Sequence, residues 1–178
     1  MSSATKKPKL SIYEMCIFAV LGTVMFVTKF HMEAIPNVHL LGMLITAFTL
    51  TYRARALVPL YLYIMLDGLI HSFNAWWIPY LYIWLPLWGG VMLVSRIKMK
   101  DGIAAVVYML LCGLHGLSFG ALYAPFQALY MGWSLKATLA WIQFGLPFDI
   151  IHSISNFCIA SLTLPLYALL RRLKKSYS

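Results

Sequence analysis

Six side chains that lipid penalises fall into two triplets. Asp67, His71 and Asn74 are spaced i, i+4, i+7, and Asp149, His152 and Asn156 are spaced i, i+3, i+7, so each set lines one face of a helix. A carboxylate, an imidazole and an amide on one face can donate and accept hydrogen bonds and can meet a cation. Two further histidines stand near polar or small neighbours: His39 follows Asn37, and His115 lies among Gly113, Gly116 and Gly120. Trp76, Trp77, Tyr80 and Trp84, with Tyr123 and Gln127, add flat apolar area carrying a few polar tips. Such a set fits the recognition of an amphipathic small molecule better than bond-making chemistry.

Enzyme signatures are missing. The sequence has no His-Glu-x-x-His, no Gly-x-Ser-x-Gly and no Gly-rich phosphate loop, so a zinc protease, a serine hydrolase and an ATPase are not encoded, and no catalysis is expected. His39, His71, His115 and His152 with Asp67 and Asp149 are donor types for a transition metal or haem, but their spacing matches no standard motif and no metal is expected. Cys16, Cys112 and Cys158 are odd in number and lie in apolar stretches, which makes them small buried hydrophobes rather than a disulfide framework. Plainer roles stay open: an Asp–His pair serves as an interhelical clamp, the outer aromatics fit an interfacial belt, and the three glycines fit close helix packing.

The elements that position these residues are membrane helices. At 62% hydrophobic and 11% charged, with a mean hydropathy of +0.80, the chain has too little polar surface for a water-soluble globule. Apolar stretches near 10–30, 36–52, 56–75, 77–95, 103–124 and 146–170 each approach the roughly twenty residues that cross a hydrocarbon core. The first has no small-residue cleavage site and reads as a helix rather than a signal peptide. Twelve of the fourteen Lys and Arg residues fall in alternate gaps: Lys6, Lys7 and Lys9; Arg53 and Arg55; Arg96, Lys98 and Lys100; Arg171, Arg172, Lys174 and Lys175. Lys29 and Lys136 are the exceptions. Basic loops stay in the cytoplasm, so both termini, 1–9 and 171–178, are placed inside. The net charge of +9 flanks the spans and forms no basic domain, which argues against nucleic acid and for anionic lipid.

The expectation is a single-domain, all-α integral membrane protein with six transmembrane helices in the cell membrane. Tight turns near 52–55 and 95–102 predict helices two and three, and four and five, as antiparallel neighbours. Segment 134–144, capped by Ser134, reads as an external helix that ends at Gly145 and Pro147 before the last span. With this orientation both triplets, His39, His115 and the aromatic cluster lie in the external half. Polar groups from several helices at one depth predict an outward pocket. Its expected lining is Asn37, His39, Asp67, His71, Asn74, Trp77, Tyr80, Trp84, His115, Tyr123, Gln127, Asp149, His152 and Asn156.

On the stretches Glu33-Ala-Ile-Pro-Asn-Val-His-Leu-Leu-Gly42, Trp76-Trp-Ile-Pro-Tyr-Leu-Tyr-Ile-Trp84 and Gly145-Leu-Pro-Phe-Asp-Ile-Ile-His152, the whole chain resembles the substrate-binding S component of energy-coupling factor (ECF) transporters, most of all the cobalamin group. The resemblance implies capture of a vitamin from outside and delivery through a transmembrane T subunit and two ATP-hydrolysing subunits, with no cofactor of its own. It also implies docking of the first helix on the T subunit through small residues four apart. Here Ala19, Gly22 and Thr23 stand nearest to that pattern, with Thr23 where the family has its second Ala. Another vitamin or precursor, a metal ion held by the histidines, a haem protein and a channel remain open on the residues alone.

Overall fold

A computed structural model describes residues 10–176; the basic tail at 1–9 lies outside the described residues. The first helix, α1 (Ile12–Met32), starts at a capping box: the Glu14 amide donates to Ser11 Oγ at 3.1 Å and the Ser11 amide to Glu14 Oε2 at 3.1 Å. After a loop at 33–40 comes α2 (Leu41–Tyr52), of which all but Leu50 is buried. Its Thr46, Thr49 and Thr51 hydroxyls donate to carbonyls one turn back, which lets polar side chains sit in an apolar core. A 3-10 turn at Arg53–Ala56 leads into α3 (Leu57–His71).

The next leg is broken into α4 (Tyr80–Ile83) and α5 (Leu85–Val94), because Pro86 has no N–H to offer the carbonyl four residues back. Trp84 occupies the joint and is buried. Then follow α6 (Asp101–Leu117), α7 (Phe119–Met131), α8 (Leu135–Ile159), a 3-10 turn, and α9 (Thr163–Lys175). Gly132 closes α7 in the left-handed conformation, φ 67°. Among the described residues there is no strand.

Four continuous helical stretches have the length and apolar composition to cross a membrane: Ile12–Met32, Leu41–His71, Asp101–Met131 and Leu135–Lys175; the second folds back on itself at Arg53–Ala56 into α2 and α3, and Tyr80–Val94 is a shorter apolar helix. Leucines and isoleucines such as Leu69, Leu93, Leu114 and Ile154 cover the outside, as suits a surface solvated by lipid. This is a multi-pass membrane architecture.

Side-chain pairs give the relative directions. Glu14 meets Arg55, Gly22 meets Leu62 and Lys29 meets Asp67, so α1 and α3 run parallel. Phe18 touches Tyr52 while Lys29 and His39 share one cavity, so α2 returns between them and the chain reverses at Arg53, whose φ is 58°. Gly90 faces Leu111 and Trp84 faces His115, making α5 antiparallel to α6. Gly113, Gly116 and Gly120 meet Phe157, His152 and Asp149 in turn, making α6–α7 antiparallel to α8.

Two expectations need correction. Helices α2 and α3 are antiparallel but not close neighbours: α3 packs on α1, and α2 on α5 and α9. The helix capped by Ser134 does not end at Gly145; α8 runs through Gly145 and Pro147, and the interruption comes at Ala160–Leu162. One proline costs an amide donor, whereas the packing of α8 along α6 and α7 rewards continuing. The last leg is therefore much longer than 146–170, and the segment at 123–145, expected to be an external connection, is helix on both sides of a turn at 132–134.

Candidate functional site

At the end of the bundle holding the 33–40 loop, the loop folds over a cavity of about 200 Å³ between α1, α4, α7 and α8. Its walls are Lys29 and Glu33 on one side, Asn37 and His39 from the loop, and Tyr80, Phe119 and His152 opposite. The loop is fixed at Asn37, which adopts φ 60° and whose carbonyl accepts from Ser155 Oγ at 2.8 Å.

Beneath the cavity lies a box of rings. His39 and His152 meet edge to face at 4.7 Å, Phe119 touches His152 at 4.9 Å, and Trp84 stacks on His115 at 5.3 Å. His115 Nε2 lies 2.8 Å from the Ile83 carbonyl, which holds the ring against the broken joint of α4 and α5. His39 Nδ1, His152 Nε2, Trp84 Nε1 and both amide atoms of Asn156 are buried without a hydrogen-bond partner. Unpartnered polar atoms are costly; His39 and His152 carry theirs on residues that line the cavity, while those of Trp84 and Asn156 lie deeper, away from its lining.

Beside the cavity, α1 and α3 share an ionic cluster. Asp67, with none of its side chain exposed, has Lys29 Nζ at 3.8 Å and His71 Nδ1 at 3.2 Å; Glu33 pairs with Lys29 and lies 3.6 Å from His71 Nε2. Donor atoms of Glu33, Asp67 and His71 converge within 4.8 Å, but the Lys29 ammonium already supplies positive charge there. Among the described residues, His39, His115 and His152 form no such group.

No family model, curated protein or solved structure matches this chain. What it binds must therefore be argued from these side chains.

Of the expected lining, Asn37, His39, Tyr80 and His152 reach the cavity, and Trp84 and His115 form the ring box under it. The others have local duties. Asp67 and His71 belong to the α1–α3 cluster. Asn74 Oδ1 accepts from the Trp76 amide at 3.1 Å in an exposed turn. Trp77 Nε1 donates to the Ile64 carbonyl at 2.8 Å and packs over Gly68. Tyr123 donates to the Trp76 carbonyl at 2.8 Å, and Gln127 is half-buried away from the cavity. Asp149 accepts from the Gly120 amide at 3.2 Å, capping the start of α7 from a neighbouring helix. Asn156 packs under Gly42.

Sequence reasoning missed Lys29 and Phe119. A signal for Lys29 was present: it was one of two basic residues breaking the alternation of charge. The docking set is also altered, since Gly22 is buried against Leu62 of α3, where a Cβ would come within 2.8 Å of Leu62 Cδ2. Ala19 and Thr23 face outward, with Thr23 Oγ1 donating to the Ala19 carbonyl at 2.9 Å.

Proposed function

We propose that this protein is a solute-binding membrane subunit of the S-component type. It crosses the membrane six times with its basic end in the cytoplasm, captures a small polar-aromatic molecule at the outer end, and passes it on through a T subunit and two ATPases. The observation that carries this reading is the cavity under the 33–40 loop, where Lys29 and Glu33 oppose the unpartnered nitrogens of His39 and His152. Supporting it, the alternating helix directions fit six crossings, and Arg53, Lys98 and Arg171 all lie at the end opposite the cavity.

The size of the space bears on the cargo. About 200 Å³ lies below the ~300–1,000 Å³ of ordinary ligand sites. A compact vitamin or precursor with an anionic group for Lys29, and acceptors or a ring for the histidines, suits it. A corrin is the second reading and requires the 33–40 loop to lift away.

Calorimetry of the purified full chain against single B vitamins, their precursors, cobalamin and divalent metals tests the cargo, and affinity purification from the native host tests the partners. Saturable binding of one vitamin class, weakened by His152→Ala, together with recovery of ATPase subunits, is the expected result. Binding of divalent metal alone, or of nothing with no ATPase recovered, would overturn the reading.

A further inference from the structure

The opposite end of the bundle carries a second concave site. Two adjoining spaces of about 470 and 490 Å³ share Asp101, Leu164, Tyr167 and Arg171 and so form one groove between α9, the start of α6 and the turn after α2. Five cations from three separate parts of the chain surround it: Arg53, Lys98, Arg171, Arg172 and Lys175. Asp101 is the one carboxylate in the lining. Among the described residues no carboxylate lies within 4.0 Å of Lys98, Arg171, Arg172 or Lys175, whereas Arg55 next door is paired with Glu14.

Retention of loops in the cytoplasm requires positive charge but not a hollow, and charges spread outward would serve it with less mutual repulsion. Here they rim a groove whose floor is apolar, formed by Leu50, Ala104 and Leu164. Ile97 in the lining and exposed Ile103 near the start of α6 add apolar surface beside the cations. A ligand matching both parts carries phosphate oxygens at one end and hydrocarbon at the other. Arginine forks fit a phosphodiester bidentately, and the negative headgroups of the inner leaflet lie at this level.

We propose that this groove is a binding site for the headgroup of an anionic phospholipid, phosphatidylglycerol or its two-phosphate relative cardiolipin, with the acyl chains laid along α9 and the start of α6. The site rests on the reading that the basic end faces the inner leaflet and is independent of the solute carried at the other end.

The test uses the full chain in nanodiscs of phosphatidylcholine with an equal share of phosphatidylglycerol, followed by native mass spectrometry of the released protein. Retained phosphatidylglycerol in preference to phosphatidylcholine is expected, weakened about fivefold by Arg172→Gln and far more by the combined change of Lys98, Arg171 and Arg172 to Gln. Lys136→Gln, at the other end, serves as a control and leaves retention unchanged. Equal retention of the two lipids, or retention indifferent to the groove variants, overturns the site while leaving the membrane reading intact; failure to enter the nanodisc overturns that reading instead. Displacement by millimolar inorganic phosphate with no lipid preference would make it a soluble-anion site. Loss of ATPase subunits from the groove variants without any lipid preference would make it a protein contact.

Discussion

Asp, His and Asn recur at nearly the same spacing around α3 and on α8, yet they meet different surroundings, and Asn74 falls in the turn beyond the end of α3. The α3 set faces α1, which brings Lys29 and Glu33; Asp67 and His71 are thereby absorbed into a cluster of alternating charge. The α8 set faces glycines and rings: Asp149 finds only the Gly120 amide, while His152 and Asn156 keep unpartnered atoms. Helical spacing decides that side chains share a face, but the neighbouring helix decides whether that face is finished. Asp67 and His71 hold α3 to α1, and it is their partners Lys29 and Glu33 that line the cavity. The second triplet is left open at His152, which borders the cavity with its Nε2 unpartnered.

The largest test of this contrast is Lys29→Met. It leaves the fully buried Asp67 carboxylate with only the His71 imidazole beside it, and removing one member of a buried pair costs about 3 kcal/mol. Unfolding in mixed micelles should show a loss of that order, and Lys29→Arg should recover most of it. A neutral Lys29→Met would mean that the cluster carries no structural load and that the two triplets are alike.

Next in size is Gly116→Ala, which probes how closely α8 is held to α6. An added Cβ would fall 2.8 Å from the His152 carbonyl oxygen, a backbone atom that cannot swing aside. A loss of about 2 kcal/mol is expected by the same unfolding measurement, with solute affinity falling as His152 moves. Full stability in Gly116→Ala would show that α8 is free to shift and that the orphaned nitrogens are not fixed in place.

His152→Phe reverses the sign. A somewhat larger apolar ring replaces the imidazole and the buried unpartnered Nε2 is removed, so the fold should gain up to about 1 kcal/mol while solute binding drops at least about tenfold. The corresponding change on α3, His71→Phe, should destabilise because it strips Asp67 and Glu33 of a partner. Both variants destabilising alike would erase the distinction between a finished and an unfinished face.

The helical legs and the apolar exterior were legible because they rest on average composition and on Pro and Gly punctuation, which act locally. The cap at Ser134 was legible for the same reason. The continuation of α8 through Gly145 and Pro147 was not, because it depends on packing against α6 and α7 that no local pattern records. Within the site, His39, Tyr80 and His152 could be read from their depth, whereas Asn74 and Trp77 shared that depth and turned out to serve a turn and a helix contact. Gly22 was read as a docking residue because small residues permit close approach, and spacing alone could not say that the approaching helix is α3 of the same chain. Lys29 was the instructive omission: a cation at the wrong end for topology needs a local reason, and Asp67 supplies it.

The smallest expected effect concerns the loop that covers the cavity. Ser155 lies one turn beyond His152 on α8, and its Oγ reaches both the His152 carbonyl at 3.0 Å and the Asn37 carbonyl at 2.8 Å. The second contact ties the loop to the open face at a residue whose φ of 60° is unfavourable for an L side chain. In Ser155→Ala the hydroxyl is replaced at little change in volume, so global stability should fall by no more than about 1 kcal/mol. The local consequence should be larger than the global one, because a loop held by few contacts opens well before the helices do. Hydrogen exchange at the Val38 amide, which donates to the Ile35 carbonyl at 3.3 Å, should accelerate several-fold, and bound solute should leave faster with its association rate little changed. Ser161→Ala, which removes a hydroxyl bonded only to its own helix at the Cys158 carbonyl, should alter neither. Unchanged exchange in Ser155→Ala would mean that the loop is held by its own turn rather than by α8, and the unfinished face would then lack the closure that makes it a site.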